Sequence, residues 1–136
     1  REEARRLGAH QTVGSADKDQ LKKLGGSLDF ILVTANVTLP WDLFIGALAP
    51  KGRLHFVGAV LEPVPVAAFS LIGGQKSVSG SPLGSPATTT RMIEFCARHQ
   101  IAPIVETFPL SRINDAIDRL RSGQARYRVV LENDFS

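Results

Sequence analysis

The sequence predicts an α/β protein built on a mainly parallel sheet, and three observations point to that fold class. Short apolar runs alternate with segments of helical periodicity along the chain. The helical segments run to roughly ten residues, enough to connect one strand to a parallel neighbour. The 136 residues are 43% hydrophobic and 21% charged, which is typical of a globular domain. We therefore expect one α/β domain with helices on both faces of its sheet.

The N-terminal segment predicts a short helix, a short strand and a second helix. Residues 2–7 have helical composition and end at Gly8, a residue type that commonly closes a helix. Residues 10–13 are a strand candidate. The carboxylate of Asp17 can cap the next helix, which should run to Leu24.

Two strands and two helical segments are predicted in the middle of the chain. Residues 28–35 form a nearly continuous apolar run, which is typical of a strand covered on both faces by helices. A helix over residues 41–49 should follow and end at Pro50. Residues 52–57 are the next strand, and residues 66–72 are a short helix or turn.

The same alternation continues beyond these elements. Residues 76–81 are predicted to be a strand. Ser85 followed by Pro86 indicates an N-cap with proline at the first helical position, so a helix should run from there to about His99. Residues 105–108 are a further short strand.

The last segment predicts a helix and a strand. Ser111 should cap the helix, and Gly123 follows its last turn. Four apolar residues at positions i, i+3, i+4 and i+7 lie on one face of this helix and support it: Ile113, Ala116, Ile117 and Leu120. Residues 127–131 should close the fold as a strand.

Several functional classes are excluded by composition. Sixteen Lys and Arg against 13 Asp and Glu give a net charge of +3, too small an excess to indicate nucleic acid. A single cysteine excludes a disulfide framework. No apolar run reaches about 18 residues, so we expect no membrane partner and a cytoplasmic protein. Neither a Gly-x-Ser-x-Gly elbow nor a Gly-Lys-Ser/Thr phosphate loop is present.

The residues that could bind a metal are scattered. His10, His55 and His99 lie far apart, and none has a partner at the spacing of zinc ligands. His55 lies inside a predicted strand, and His99 lies at a helix C-terminus, where positive charge is favoured. Cys96 lies three residues after Ile93 on the apolar side of its helix, which predicts core packing. We expect no metal site within this sequence.

Small residues follow three successive predicted strands, at the ends where open parallel sheets bind ligands. They are Thr34, Ala35, Asn36 and Val37; Gly58, Ala59 and Val60; and Ser81, Pro82 and Leu83. Such loops leave room for a flat ligand, although each could serve only as a tight strand-to-helix turn. Near the last strand, Arg121, Arg126 and Arg128 could hold a phosphate or remain solvated.

The glycine fingerprint of a dinucleotide-binding fold is absent, because no two glycines are separated by a single residue. Either the chain binds no dinucleotide, or the first βαβ unit lies upstream of Arg1. The sequence also begins without Met, in what has the composition of a helix interior. We therefore expect it to be a piece of a longer protein.

Four segments together resemble one family. They are Glu3-Ala4-Arg5-Arg6-Leu7-Gly8-Ala9; Leu48-Ala49-Pro50-Lys51-Gly52-Arg53-Leu54 with Val57-Gly58; Gly80-Ser81-Pro82-Leu83-Gly84-Ser85; and Ala116 to Leu131. In this order and spacing they resemble the nucleotide-binding domain of the zinc-containing medium-chain alcohol dehydrogenases. The resemblance is strongest to the branch of cinnamyl-alcohol-dehydrogenase-like aldehyde reductases, and it runs over essentially the whole chain. It implies a Rossmann-type sheet that lacks its first βαβ unit.

The resemblance also implies an activity and a set of contacts. The activity is that of a zinc-dependent, NADP(H)-preferring oxidoreductase of primary alcohols and aldehydes. The backbone of the three loops would contact the cofactor, and Arg1 would lie at the edge of the segment that selects the 2′-phosphate. Arg128 would lie near the pyrophosphate, with Arg126 as a competing assignment. The zinc ligands and the catalytic residues would lie in an N-terminal part, so this chain alone should be inactive.

Two other functions remain open at this point. A zinc-free quinone oxidoreductase of the same superfamily would keep this half of the molecule. A non-catalytic, dimerising α/β interaction module would need only the fold, with residues 76–81 as a pairing edge.

The resemblance further implies how the strands are covered. In the family's strand order, residues 28–33 belong at the centre of the sheet. We expect their free edge to be covered by residues 10–13, by another copy or by upstream chain. The family's usual dimer pairs the strand of residues 76–81 with its symmetry mate, so we expect a homodimer with Val78 at the seam.

Overall fold

The computed structural model describes residues 1–135, and these residues form two compact units. The first unit is Arg1–Leu83, and the second begins at Gly84. Each contains its own parallel sheet together with helices, which confirms the predicted α/β class. We expected one domain with one sheet. The expectation of one sheet is wrong, because the described strands pair as a group of three and a separate group of two.

The first unit contains four helices and three strands. The helices are α1 (Glu2–Arg6), α2 (Lys18–Lys23), α3 (Trp41–Ala47) and α4 (Ala68–Ile72). The strands are β1 (Leu28–Val33), β2 (Leu48–Phe56) and β3 (Ser77–Gly80), parallel and in the order β1-β2-β3. The cap of α2 is as predicted, since Asp17 Oδ1 accepts a hydrogen bond from the backbone N–H of Gln20 at 3.0 Å.

The predicted strand at residues 10–13 is wrong, because this described segment has no regular secondary structure. Apolar alternation there is too short to specify a strand without a neighbour to pair with. In the sheet as described, β1 pairs with β2 alone. Residues 10–13 therefore do not cover the outer edge of β1, and the other two possibilities, a second copy or upstream chain, stay predictions.

The boundary between α3 and β2 also differs from the prediction. The helix ends at Ala47 and the strand begins at Leu48, so Pro50 lies within β2. The register explains how proline is tolerated there. Leu28 pairs with Leu48, but Phe30 pairs with Arg53, which leaves the residues between them in a bulge. A bulge needs no ladder hydrogen bond from the proline nitrogen.

The core of the first unit lies on one face of its sheet. Ile45 of α3 and Leu54 of β2 are each 1% exposed, and Trp41 of α3 is 2% exposed. The ring of Trp41 meets the ring of Phe56 edge to face, with 5.2 Å between ring centroids. The outward face of β1 differs, because Phe30 is 55% exposed. In the described chain, therefore, apolar packing covers one face of β1 rather than both.

The second unit contains two helices and two strands. They are α5 (Pro86–Arg98), β4 (Val105–Pro109), α6 (Ile113–Arg121) and β5 (Arg128–Glu132), with a 3₁₀ turn over Leu110–Arg112. The two strands are parallel neighbours. The predicted cap of α5 is confirmed, since Ser85 Oγ accepts from the backbone N–H of Thr88 at 3.2 Å.

The predicted cap of α6 is wrong. The residue before the helix is Arg112, and Ser111 bonds instead to the C-terminal segment. Its backbone N–H donates to Asp134 Oδ1 at 2.9 Å, and its hydroxyl donates to Asp134 Oδ2 at 2.5 Å. Ser111 lies inside the 3₁₀ turn Leu110–Arg112, one residue too early in the chain to hold the N-cap position of α6.

An ion pair joins α6 to β4. Arg119 donates to both carboxylate oxygens of Glu106, from Nε at 2.7 Å and from Nη2 at 3.0 Å. Glu106 also accepts from the backbone N–H of Arg126 at 2.7 Å. These donors, the Arg119 guanidinium first, hold the pKa of Glu106 below its ordinary value, because they stabilise the charged carboxylate.

Candidate functional site

The three loops with small residues emerge at one edge of the first sheet. The register pairs Val33 with Phe56, and Phe56 with Gly80, so the three parallel strands end side by side. Ten predicted contact residues follow these ends directly. They are Thr34, Ala35, Asn36 and Val37 after β1; Gly58, Ala59 and Val60 after β2; and Ser81, Pro82 and Leu83 after β3.

Backbone hydrogen bonds join the segments that follow β2 and β3 to the end of the neighbouring strand. The N–H groups of Val57 and Gly58 both donate to the carbonyl of Val33, each at 3.0 Å. The N–H of Ser81 donates to the carbonyl of Phe56 at 3.1 Å. Each strand thus positions the start of the loop that follows its neighbour, and the edge is fixed by backbone geometry.

Gly58 lies where two of these loops touch. A Cβ at this position would overlap the carbonyl oxygen of Ala35 and would come within 2.7 Å of the carbonyl oxygen of Thr34. Such contacts with backbone atoms leave no room for any side chain. The requirement for glycine here is therefore steric and comes from the close approach of the first two loops.

Most of the loop residues face solvent. Leu83 is 91% exposed and Val37 is 55% exposed, whereas Ala35, Gly58 and Val60 are half-buried beneath them. The edge therefore presents backbone and small or apolar side chains over a surface without large charged groups. Such a surface suits a flat ligand that lies across the carboxyl ends of the strands, which fits a dinucleotide.

An open apolar cavity lies directly after the first loop. Residues 38–42 and 65–67 line it, and its volume is about 610 Å³. Small-molecule pockets commonly have volumes in this range. The indole of Trp41 forms part of the wall, and its Nε1 is buried without a hydrogen-bond partner among the described residues. No local sequence pattern indicates this cavity, because its two walls are more than twenty residues apart in the chain.

His55 joins β2 to the third loop, a contact that the sequence does not predict. Its Nδ1 lies 2.9 Å from Ser79 Oγ, and its Nε2 lies 2.9 Å from Ser81 Oγ. The Phe30 ring stacks beside the imidazole, with centroids 6.2 Å apart. The available signal is the alternation Ser77-x-Ser79-x-Ser81, which places three hydroxyls on one face of a strand.

The structure does not bring the two predicted arginines to this edge by any described contact. The Arg1 guanidinium lies over Gly14, with Nη2 2.5 Å from where a Cβ on Gly14 would be. Arg128 is the first residue of β5 in the second unit, where it pairs with Val105 and is exposed. The competing Arg126 donates from Nη1 to the carbonyl of Ala125 at 3.2 Å. Their contacts with a cofactor stay predictions.

The described residues do not fit a zinc ion. Within residues 1–135, no group of three or more His, Cys, Asp and Glu side chains is placed to hold a metal. Both ring nitrogens of His55 already bond to serine hydroxyls. His99 follows the last turn of α5, as expected, and its ring lies 4.2 Å from that of Phe95.

Cys96 differs from its predicted place in a core. The described residues of α5 include none that is buried, and Cys96 is only half-buried. It lines an open apolar pocket of about 590 Å³ with Met92, Ile93 and residues 101–103. The apolar side of α5 therefore lines an open pocket and contains no buried residue.

No helix in the described part of the chain is both long and apolar enough to cross a lipid bilayer.

A parallel sheet with exposed loops at the carboxyl ends of its strands is the arrangement of nucleotide-binding α/β folds. The family model described as "Zinc-binding dehydrogenase" matches residues 1–98. This chain therefore belongs to the zinc-binding dehydrogenase family.

Individual proteins agree with this assignment. The aldehyde reductase AdhA of Synechocystis sp. is 49% identical over 127 residues, which are 93% of this chain and 38% of that protein. The NADP-dependent alcohol dehydrogenase C of Mycobacterium bovis is 36% identical over 96% of this chain and 38% of its own length. A cinnamyl alcohol dehydrogenase of Sorghum bicolor superposes with a TM-score of 0.85 at 32% identity, covering 96% of this chain and 37% of that one. The chain thus spans just over a third of the length of these relatives.

Proposed function

We propose that this chain is the C-terminal part of the nucleotide-binding domain of an oxidoreductase that interconverts primary alcohols and aldehydes with NADP(H). The observation that carries the proposal is the meeting of three exposed, small-residue loops at the carboxyl edge of the β1-β2-β3 sheet. Membership of the zinc-binding dehydrogenase family supports it, as do relatives named aldehyde reductase and alcohol dehydrogenase.

The three loops have two tasks in this proposal. The backbone of residues 34–37 and 58–60 forms the floor on which the cofactor lies, and residues 81–83 pack beside its nicotinamide ring. The exposed side chains of Val37 and Leu83 exclude water from that ring. When bound, NADP(H) supplies or accepts the hydride of the reaction. Since this chain spans only 38% of the length of its aldehyde reductase relative, the proposal places the zinc ligands and the catalytic groups in the rest of the protein.

Preference for NADP(H) over NAD(H) is part of the proposal. It is supported by the name of the mycobacterial relative. The family resemblance also implies that Arg1 lies at the edge of the segment that selects the 2′-phosphate, and a guanidinium is well suited to bind a phosphate. Arg128, or alternatively Arg126, would meet the pyrophosphate.

Titration of NADPH and NADH against the complete gene product tests this proposal. We expect NADPH to bind more tightly, and Arg1→Ala to weaken NADPH binding while leaving NADH binding unchanged. Arg5→Ala is the matched control, since Arg5 is an exposed cation on α1, the helix that Arg1 precedes. Equal or tighter binding of NADH would refute the preference, and binding of neither cofactor would refute the function.

We also propose that the protein forms a homodimer through β3. This strand is at the edge of the described sheet and has β2 on one side only, and Val78 at its centre is half-buried. Pairing with a symmetry mate would satisfy the open edge. Light scattering of the complete gene product should give twice the monomer mass. A monomer at every concentration would contradict this proposal.

A further inference from the structure

A row of hydroxyls runs along one face of β3 towards the third loop, and β2 contacts every member of it. Ser77 accepts from Arg53 Nε at 3.4 Å, Ser79 lies 2.9 Å from His55 Nδ1, and Ser81 lies 2.9 Å from His55 Nε2. His55 therefore bridges the last part of the strand and the first residue beyond it. The core of the first unit does not use this imidazole, which lies on the opposite face from Leu54.

Three restraints converge on the imidazole and fix its orientation. Two are the serine contacts, and the third is the Phe30 ring, which lies at 25° to the imidazole plane. A serine hydroxyl can donate or accept, so both contacts are satisfied in either tautomer of the ring. The bridge therefore persists without depending on which nitrogen carries the proton.

We propose that His55 is a positioning residue for the candidate cofactor site, because it fixes Ser81 where the third loop leaves β3. This inference rests on the proposed function. Ser81 is held twice, by its N–H on the carbonyl of Phe56 and by its hydroxyl on His55. Beyond it, Pro82 and Leu83 are exposed, so we infer that the orientation of the loop is set at Ser81. Holding a loop in its bound conformation before the ligand arrives raises affinity, since binding then costs less ordering.

Replacements of His55 separate the two halves of the bridge. His55→Phe keeps a ring beside Phe30 and removes both hydrogen bonds. His55→Gln places an amide nitrogen near the position of Nε2 and can keep the contact with Ser81. His55→Asn places its amide nitrogen near the position of Nδ1, so it can keep only the contact with Ser79. A purely structural role would not distinguish the last two variants.

The experiment measures NADPH affinity and Ser81 amide hydrogen exchange in the complete gene product. We expect His55→Phe and His55→Asn to weaken NADPH binding about tenfold, because one or two lost hydrogen bonds have an effect of this size. Both variants should also speed the hydrogen exchange of the Ser81 amide. His55→Gln should restore most of the affinity. Ser81→Ala should weaken binding to a similar degree, and adding His55→Phe to it should cause no further loss. Ser77→Ala is the matched control on the same strand face, and it should leave affinity unchanged.

The outcomes separate the inference from the function on which it rests. Wild-type binding with equally tight binding by His55→Phe would overturn the positioning role while leaving the proposed function in place. Parallel losses in His55→Gln and His55→Asn, each matched by a loss of thermal stability, would also overturn it. If the wild-type protein binds no NADPH, both the proposed function and this inference fail.

Discussion

The two units of this chain differ in the interactions that stabilise each of them internally. Seven of the eight buried apolar residues in the described chain lie in the first unit, and the eighth is Ala116 in the second. The second unit relies instead on hydrogen bonds and on the ion pair between Glu106 and Arg119, which are 23% and 35% exposed. Apolar burial does not depend on pH, whereas a charged pair does. The first unit should thus be sensitive to lost volume and the second to acid.

Loss of volume in the first unit should have the largest effect. Leu54 is 1% exposed at the centre of β2, in contact with the core around Trp41. Leu54→Ala should destabilise the protein by about 2–5 kcal/mol, since the cavity cannot fully collapse. Urea unfolding of this 136-residue chain, followed by fluorescence, reports on this unit, because Trp41 is its only tryptophan.

The matched control for this prediction is Leu61→Ala. Leu61 is 92% exposed, so its truncation should change stability by less than about 0.5 kcal/mol. Equal effects of the two leucine variants would contradict the assignment of the core.

Added side-chain volume at the carboxyl edge of the β1-β2-β3 sheet should lower both stability and NADPH affinity. Gly58→Ala forces a Cβ against the backbone of the first loop, which should cost about 1–3 kcal/mol and weaken NADPH binding. Gly46→Ala in α3 is the control, since nothing lies within 4 Å of a Cβ there. Unfolding and NADPH titration of both variants check this. Unchanged binding in Gly58→Ala would show that the first two loops are not part of the cofactor site.

Patterns within one element were sufficient to predict most of the fold. The apolar run of β1, the Asp17 and Ser85 caps and the small residues after three strands are all local signals, and the structure has each of them. Two of the failures involve partners distant in the chain. Pro50 fits within β2 because it lies in a bulge opposite β1. Ser111 forms hydrogen bonds with Asp134, 23 residues away.

The same limit applies to the candidate site. The ten loop residues could be named because parallel strands end together. The bridge from His55 to Ser79 and Ser81 could not, because it depends on the register between β2 and β3. Local sequence does not specify that register.

Acid should weaken the second unit through Glu106. The pKa of this carboxyl is lowered in the folded state by Arg119 and by the Arg126 N–H. Its stabilising contribution is therefore present above its unfolded pKa and is lost as pH falls through the lower, folded value. The protection factors of α6 amides, which are their exchange rates relative to the intrinsic rate at each pH, should show this loss as the pH is lowered.

Glu106→Gln should make the protection factors of α6 amides less dependent on pH. In this variant the protection factors should already be lower than in the wild-type protein near neutral pH. Glu94→Gln, which changes an exposed carboxylate on α5, is the control and should keep the wild-type profile. An unchanged profile in Glu106→Gln would show that this pair does not stabilise the second unit.

The smallest expected effect is at the C-terminal segment. The Ser111 hydroxyl is the main cause that lowers the pKa of Asp134, followed by the Ser111 N–H. Ser111→Ala should therefore raise the pKa of Asp134 towards its ordinary value, with little change in stability. An NMR titration of the Asp134 carboxyl measures this, and Ser122→Ala in the turn after α6 is a suitable control. An unshifted pKa in Ser111→Ala would contradict the described contact.

The most direct test of the account is to observe where NADPH binds. Amide chemical shifts of the isotope-labelled complete gene product should be recorded with and without NADPH. We expect the largest changes on residues 34–37 and 58–60 and on Ser81 and Leu83, at the carboxyl ends of β1, β2 and β3. Changes confined to the apolar pocket of α5, or an absence of changes in the three loops, would contradict it.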